Sequence, residues 1–560
     1  MFSQYKFIDN CKMFLGFLLL SIVVGLTLLP IFRAQFWPLN HEFNSFFLRT
    51  MIYAEHLKQG DFLPIWSVAD NNGMGSPQPL LYHKLFYLIS GGLFAISNYL
   101  KLSLVVSIIL FLLFGAAGMY FLCRSAGIDG FSSLCGAVIL VVSNYTITNW
   151  LVRGAMAEFS AAMLIPTALG AYILMLKDKT IHKSKIGVLG LSMAMIFIAH
   201  SVLAFYLGLF LVFTTAVIVL IHRNLLNLDF FYALVIQVFV FFIVIGPLII
   251  CIKIVASQYD MSRIIPAWYL PTNQFKPLVR YIYDGYWRWG LDWRGYTVQL
   301  DLFVLLLLSF GCLAHIIRII RLTHKRHKLK LKISVSTTAI TLLLILGLAF
   351  QTKLAGSFYE KFPGAKYIQF PWRLLGVITP LLIVLALISV ESVRFKRLLV
   401  LAITLLSVMF SGFWHPLHYG ELSPNISLDK LRFSAFGEYV PAAVKPEGYN
   451  VDAIYRDIEI LGCDLKKIKD NKLTYEPLTV TYRLQCLSNA FIPLPVYASA
   501  YHRIVIYDYS SKALLSKLGC RTHLGYPGLC SLNVNAGDWL VEIRYPTIVR
   551  IISYYLKMED

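Results

Sequence analysis

The sequence predicts a polytopic α-helical membrane protein with a β-rich C-terminal domain, and three observations carry that expectation. Of the 560 residues 58% are hydrophobic and only 14% charged, with a mean hydropathy of +0.67; a soluble fold of this length needs far more charge on its surface. Apolar runs near the length of a bilayer-crossing helix, about 20 residues, recur from the N-terminus to Trp414. After Trp414 the pattern changes to the two-residue alternation of half-buried strands.

The runs fall at Cys11 to Phe32, Leu102 to Leu122, Phe131 to Val142, Ala157 to Leu176, Ile186 to Ile198 and Val202 to Ile221, then at Phe230 to Val255, Leu300 to Ile320, Ile333 to Phe350, Leu374 to Val390 and Leu398 to Phe413, giving about eleven spans. Two of these, between Ile186 and Ile221, are short and must turn near His200. The first segment, FLGFLLLSIVVGLTLLPIF, exceeds a signal-peptide core and has no small-residue cleavage site, so it reads as a retained span.

Eleven crossings from a cytoplasmic N-terminus put LKDKTIHKSK, IIRLTHKRHKLKLK and ESVRFKR on the cytoplasmic side, as the positive-inside bias requires. The loop 33–83 and the tail then face outward. The formal charge is +20, and Arg49, Arg153, Arg263, Arg280, Arg288, Arg294 and Arg373 fall on the outer side, where topology does not call for them. Anionic headgroups and a dedicated phosphate site account for such arginines equally well. No basic helix resembles a nucleic-acid reader.

Residues 1–414 form the expected membrane domain and 415–560 an extracytoplasmic, β-sandwich-like one. LTYEPLTVTYRLQC, YHRIVIYD and GDWLVEIRYP carry the strand alternation. A capping or packing role for this tail ranks ahead of glycan binding, because tyrosines such as Tyr497, Tyr501, Tyr507 and Tyr509 at strand spacing usually pack. Cys11, Cys123, Cys135, Cys251 and Cys312 lie in or beside spans, while Cys463, Cys486, Cys520 and Cys530 lie in the tail. Four cysteines in an oxidising compartment allow three pairings, of which Cys520 with Cys530 and Cys463 with Cys486 are favoured. No CxxC or His-rich spacing appears, which argues against a structural zinc site.

Four outward clusters hold the residue types that chemistry needs. The loop after the first span offers His41, Glu42, Arg49, His56, Asp61, Asp70 and His83, with Glu42 close to the membrane boundary and suited to accept a proton. Asp61 in KQGDFLP and Asp70 in DNNGMGSPQP serve tight turns as readily as substrate. LVRGAMAEFSAAMLIP places Arg153 and Glu158 at the start of the fourth span; five residues apart, they occupy neighbouring helix faces and need not pair. There Glu158 either complements a helix dipole or binds a metal or acceptor, with Arg153 on a phosphate. In KYIQFPWRLLG, Arg373 is either a snorkelling side chain or a bidentate phosphate ligand. FKPLVRYIYDGYWRWGLDWRGY suits interfacial anchoring.

The order of an acidic residue after span one, then GDFLPIW, NGMGSP, YHKLFY, RGAMAE with a following proline, and IQFPWR resembles the bacterial 6-pyruvoyl-tetrahydropterin-synthase-related membrane proteins, which look like a branch of the GT-C glycosyltransferases. The resemblance covers most of Met1 to Trp414, and EYVPAAV (Glu438 to Val444) extends it. The pterin label is not an activity, because a pterin synthase needs zinc-ligand histidines that this chain does not show.

What the resemblance implies is a GT-C-like fold and inverting transfer of a sugar from a polyprenyl-phosphate donor to a glycan or lipid acceptor, in a bacterial inner membrane with the tail in the periplasm. Glu42 takes the role of general base, with Glu158 as the second acidic position and His41 as a further participant. Arg153 and Arg373 would neutralise the leaving phosphate; Arg49, His56, Asp70 and His83 are further candidates for phosphate or substrate binding. Many relatives have aspartate followed a turn later by histidine where this chain has Glu42 and Phe46. Cofactor use stays open; a divalent cation, if used, falls to Glu42 and Glu158. Two alternatives belong to other classes: a lipid or polysaccharide transporter, against which the gathering of charge at one interface speaks, and a non-catalytic assembly protein.

Overall fold

The computed structural model describes residues 16–33, 37–42, 45–177, 187–222, 228–259, 267–284, 297–324, 334–414, 419–420, 441–444, 449–468, 478–523, 525–548 and 551–552. Cys11, Arg263, Arg288, Arg294, Glu438 and the basic stretches at 178–186 and 325–333 lie outside the described residues. The chain divides into two compact units: Met1–Phe43, Leu104–Val244 and Ala267–Leu422 form the first, and Asn44–Ser103, Ile245–Pro266 and Ser423–Asp560 the second.

Among the described residues eight helices are long and apolar enough to cross a membrane, and the bent pair Val335–Ala349 with Lys353–Lys361 makes a ninth; a shorter apolar helix, Gly16–Thr27, precedes them. The described part of each expected apolar run lies mainly on one of these helices. Burial separates central from peripheral ones. In Pro371–Ser389, Gly130–Arg153 and Met156–Lys177 at least 78% of the most apolar window is buried, against 17% in Leu228–Ala256 and Leu302–Ile320. The central three carry the candidate site, while the peripheral two leave rows of leucine, valine and phenylalanine exposed, as lipid-facing helices do.

The two short runs flanking His200 form one continuous assignment, Val188–Ile221, with a break at His200 (φ −163°, ψ 93°). Fifteen residues separate Met193 from Gly208, about 22 Å along a straight helix, yet Met193 Cε lies 3.7 Å from where a Cβ on Gly208 would stand. The chain therefore doubles back at His200 and the two arms run side by side. The His200 ring Nδ1 accepts from Leu203 N at 3.3 Å, capping the second arm as a side-chain N-cap does.

The tail of the second unit is β-rich. Its strands are β1 (Cys463–Lys467), β2 (Thr479–Cys486), β3 (Ala490–Tyr497), β4 (Arg503–Asp508), β5 (Leu514–Gly519), β6 (Arg521–Thr522), β7 (Leu529–Val534) and β8 (Gly537–Arg544). They make two antiparallel sheets, ordered β1-β2-β8-β4-β5 and β3-β7-β6. Val480, Tyr482, Leu484 and Cys486 alternate inward along β2, as its sequence pattern demands. The helix Val451–Ile460 buries Ile454 and Ile458 and lies against β1 and β3, one strand from each sheet.

The domain boundary differs from the sequence expectation of a tail beginning at residue 415. Asn44–Ser103 belongs with the tail, because DNNGMGSP closes into a loop that packs on it. Ser67 and Ser76 pair across that loop with two 2.8 Å backbone bonds, and Asn71, Gly73 and Gly75 all take positive φ. Gly75 is obligatory there: a Cβ would sit 2.6 Å from Trp66 Nε1. Tyr497 N in β3 donates to Met74 O at 2.9 Å, and the Trp66 indole meets His502 edge-on at 4.5 Å and stacks on Tyr545 at 5.8 Å.

Candidate functional site

The site in the first unit is built on a broken helix. Gly130–Val142 stops at Ser143, whose extended backbone (ψ 149°) lets its side chain cap a new turn, Asn144–Ile147, through Thr146 N. The break exposes backbone groups that need partners, and Ser411 Oγ donates to Val142 O at 2.8 Å while Asn144 N donates to Asp301 Oδ1 at 2.9 Å. The new turn widens into a π-helix, Thr148–Arg153, that ends at Gly154 in the left-handed region (φ 68°). Single π turns are frequent at functional sites. Tyr145, Asn149 and Arg153 follow at four-residue intervals and so share one face.

That face meets Glu158. Arg153 donates to both carboxylate oxygens, Nη1 to Oε1 at 2.7 Å and Nη2 to Oε2 at 3.1 Å, and its Nη1 also reaches Asn149 Oδ1 at 2.5 Å. The Tyr145 hydroxyl stands 2.6 Å from Glu158 Oε1 and 2.8 Å from the carbonyl oxygen of Arg373. Arg373 Nε approaches Glu158 Oε2 at 3.0 Å. One buried carboxylate thus serves two guanidinium groups.

IQFPWR supplies the second arginine. Gln369 takes a positive φ of 57°, a strained backbone for a residue with a side chain, and Pro371 then starts the turn that leads into Leu375–Ser389. Arg373 Nη1 is held by Ile368 O and Gln369 Oε1, both at 3.0 Å, while its Nη2 has no partner among the described residues. Trp372 lies under Arg153, with 4.4 Å from Cζ to the ring centroid, a cation–π contact. Side-chain exposure ranks the three charges, with Arg373 at 15%, Arg153 at 9% and Glu158 at 3%, so Arg373 is the most accessible cation.

The first loop reaches the same place. His41 N donates to Val152 O at 3.3 Å and Glu42 N to Arg153 O at 3.0 Å. Both residues are half-buried, and the Glu42 charge acts on the Arg153 guanidinium. Asn40 is fully buried over Gly154, where a Cβ would fall 2.5 Å from Asn40 Oδ1. Two positive charges and one negative leave a buried excess of one, beside which Glu42 is the half-exposed acid.

One expectation changes. Arg153 and Glu158 do pair, because Gly154 breaks the helix between them and removes the face geometry that separated them. Both Glu158 oxygens are engaged by guanidinium and phenol groups, so this residue is the counter-ion of both arginines. A divalent cation needs several oxygen ligands, and at this site Glu42 and Glu158 are the carboxylates that would supply them.

The remaining candidates belong to the second unit. Arg49 lies over Tyr82, 4.0 Å to the ring centroid, and donates to the Tyr87 hydroxyl at 3.4 Å. His56 is buried with Nδ1 2.9 Å from Asp61 Oδ2. Asp70 accepts from Ser76 Oγ at 2.6 Å while its carbonyl accepts from Gly73 and Gly75, so it closes the turn; burial pushes its carboxyl above the usual range. His83 is half-buried beside Tyr82, 5.0 Å between ring centroids. The tail disulfides are Cys463–Cys486 and Cys520–Cys530.

Sequence reasoning passed over Tyr145, Asn149, Asn40 and Gln369. The signal for the first two is the polar string SNYTITN that interrupts an apolar run; Gln369 stands inside the IQFPWR string without marking itself as a partner of Arg373.

Fold and site together define a polytopic membrane protein with a two-arginine, one-glutamate centre at the junction of its central helices. Among solved structures the chain is similar to the arabinofuranosyltransferase AftD from Mycobacteria, at 15% identity and a TM-score of 0.43 over 70% of this chain and 26% of that one. It is also similar to ArnT from Cupriavidus metallidurans bound to undecaprenyl phosphate, at 12% identity and a TM-score of 0.39 over 70% of this chain and 62% of that one. A third is the Archaeoglobus fulgidus oligosaccharyltransferase in its apo form, at 11% identity and a TM-score of 0.42 over 79% of this chain and 58% of that one. The chain thus spans less than two thirds of each, and at these scores no residue role or substrate passes from them to it. No protein-family model matches the chain. No curated protein matches it.

Proposed function

We propose that this chain is an integral membrane glycosyltransferase that moves a sugar from a polyprenyl-phosphate donor to an acceptor glycan or lipid at the outer face of a bacterial inner membrane. The observation that carries the reading is the convergence of Arg153 and Arg373 on the Glu158 carboxylate, with the backbone of Glu42 bonded to the Arg153 carbonyl beside them. Glu42 takes the proton of the acceptor hydroxyl. The hydroxyl oxygen attacks the anomeric carbon as the bond to phosphate breaks, the configuration inverts, and the electron pair leaves with the phosphate. A phosphate leaves without general-acid help, so the chemistry needs a base, cationic phosphate contacts and access to the bilayer. Arg373, whose Nη2 has no partner among the described residues, receives the developing charge, and Arg153, locked by Glu158, Asn149 and Trp372, holds Arg373 and the first loop in register.

The reading is tested by transfer of labelled sugar from a panel of polyprenyl-phosphate sugars, using purified protein in lipid with Glu42→Gln and Arg373→Ala alongside. Wild-type turnover that disappears in Glu42→Gln supports it and identifies the donor. Turnover retained in Glu42→Gln removes that residue from the mechanism, and saturable polyprenyl-phosphate binding without turnover on any donor moves the protein to transport or scaffolding.

A further inference from the structure

The tail of the second unit brings together a histidine and two cysteines that are distant in sequence. His502 lies on the turn before β4, Cys520 follows β5, and Cys530 is on β7. His502 Nδ1 is 3.9 Å from Cys530 Sγ, and the three donor atoms all lie within 4.8 Å of one another. His502 and Cys530 are buried and Cys520 is half-buried, so the cluster has one side toward solvent. The imidazole is fixed between two edge-on rings, Trp66 at 4.5 Å and Tyr545 at 5.2 Å. Trp66 is itself held by the Gly75 turn, so the orientation of His502 is set by the second unit's own core.

We propose that Cys520, Cys530 and His502 form a thiolate–imidazole site for a borderline-soft divalent metal ion of the zinc class, closed in the disulfide form and opened by reduction. In the structure the two sulfurs are bonded to each other. A dithiol reductant delivers two electrons and two protons, the S–S bond breaks, two thiols form, and the reductant leaves as its own disulfide. The metal ion then displaces both thiol protons and accepts two sulfurs and Nδ1. Tetrahedral zinc with bonds of about 2.3 Å to sulfur and about 2.0 Å to nitrogen places its ligand atoms roughly 3.5–3.8 Å apart. The His502–Cys530 distance is already near that value, so the sulfur–sulfur separation is what must grow, and half-buried Cys520 is the group with room to move. Three protein ligands leave a fourth position toward solvent. The Cys463–Cys486 disulfide belongs to no such group among the described residues, which makes it an internal control.

The test uses the full chain in detergent, reduced with a phosphine that is then removed, and titrated with Co2+ as the probe. One equivalent should bind, with thiolate-to-cobalt charge-transfer absorption that is absent before reduction and absent in Cys520→Ser. His502→Gln should weaken binding at least tenfold. Peptide mapping gives a second readout that does not depend on a variant: Zn2+ should slow alkylation of Cys520 and Cys530 in the reduced protein and leave Cys463 and Cys486 unprotected. Equal Co2+ binding by oxidised and reduced protein, unchanged affinity in His502→Gln, or equal alkylation of all four cysteines with Zn2+ present overturns the proposal.

Discussion

The backbone N–H of Glu42 donates to the carbonyl oxygen of Arg153 at 3.0 Å. This bond fixes the main chain of the first loop to the end of the π-helix. Glu42→Gln keeps this main-chain bond and nearly the same side-chain shape, so the protein should stay folded with a thermal midpoint near that of wild type, while transfer falls to background. A midpoint that drops together with activity would assign Glu42 to the fold.

Glu158 is the most buried charge of the centre and serves both arginines. Removing one partner of a buried ion pair costs about 3–5 kcal/mol because the other charge is left uncompensated. Glu158→Gln should lower stability by that order, read as a fall in thermal midpoint and in resistance to denaturing detergent. A stable variant with unaltered midpoint would mean that the arginines find other counter-ions.

Arg373→Ala should act mainly on the donor. Charge-assisted hydrogen bonds contribute about 1.5–3 kcal/mol, so donor affinity should fall roughly 10- to 100-fold in equilibrium binding with polyprenyl phosphate. Arg153→Lys, by losing the bidentate pair with Glu158, should instead lower the thermal midpoint; equal affinity losses in the two variants would contradict this division.

Gly154 combines a positive φ with a neighbour that leaves no room for a methyl group. Gly154→Ala should cost roughly 1–2 kcal/mol for the left-handed backbone and more for overlap with Asn40. Adding Asn40→Ala should return the steric part only, so the double variant lies between Gly154→Ala and wild type in thermal midpoint. Full recovery would show that backbone conformation is not limiting.

Lys84 gives a pH signature to the second unit. Its ammonium is buried against Pro79 O and Leu80 O, and burial pulls its pKa down to about 7 from the model-compound value of 10.5. Between these values the unfolded chain holds a proton that the folded one has released, so stability rises as pH rises from about 7 toward 10.5 and is lower below 7. Lys84→Met should remove this rise from a series of thermal midpoints; a slope that survives the substitution belongs to another group.

Much of the architecture is legible in the sequence because it rests on local periodicity. Helices follow from runs such as Leu100–Ala126, and β2 from the inward alternation of Val480, Tyr482, Leu484 and Cys486. The turn at His200 was legible too, since two runs too short to cross separately flank a histidine. The site was legible as residue types and not as pairings: Arg153, Glu158, Arg373 and Glu42 all stood out, but whether they meet depends on a left-handed glycine and a π turn that leave no periodic trace. The packing of DNNGMGSP on the tail was illegible for a similar reason, because Trp66 and His502 are brought together by long-range topology.

The doubled-back segment at His200 has unequal arms. The first, Val188 to Ala199, is 12 residues, about 18 Å of helix, beside a hydrocarbon core of about 30 Å. The preceding residues, DKTIHKSK, are too polar to extend it into hydrocarbon. Acyl chains that border an arm this short are expected to shorten or splay, at an elastic cost that grows with lipid chain length. Such an arm is expected to favour thin membrane, and the thermal midpoint in bilayers should fall as the surrounding acyl chains are lengthened.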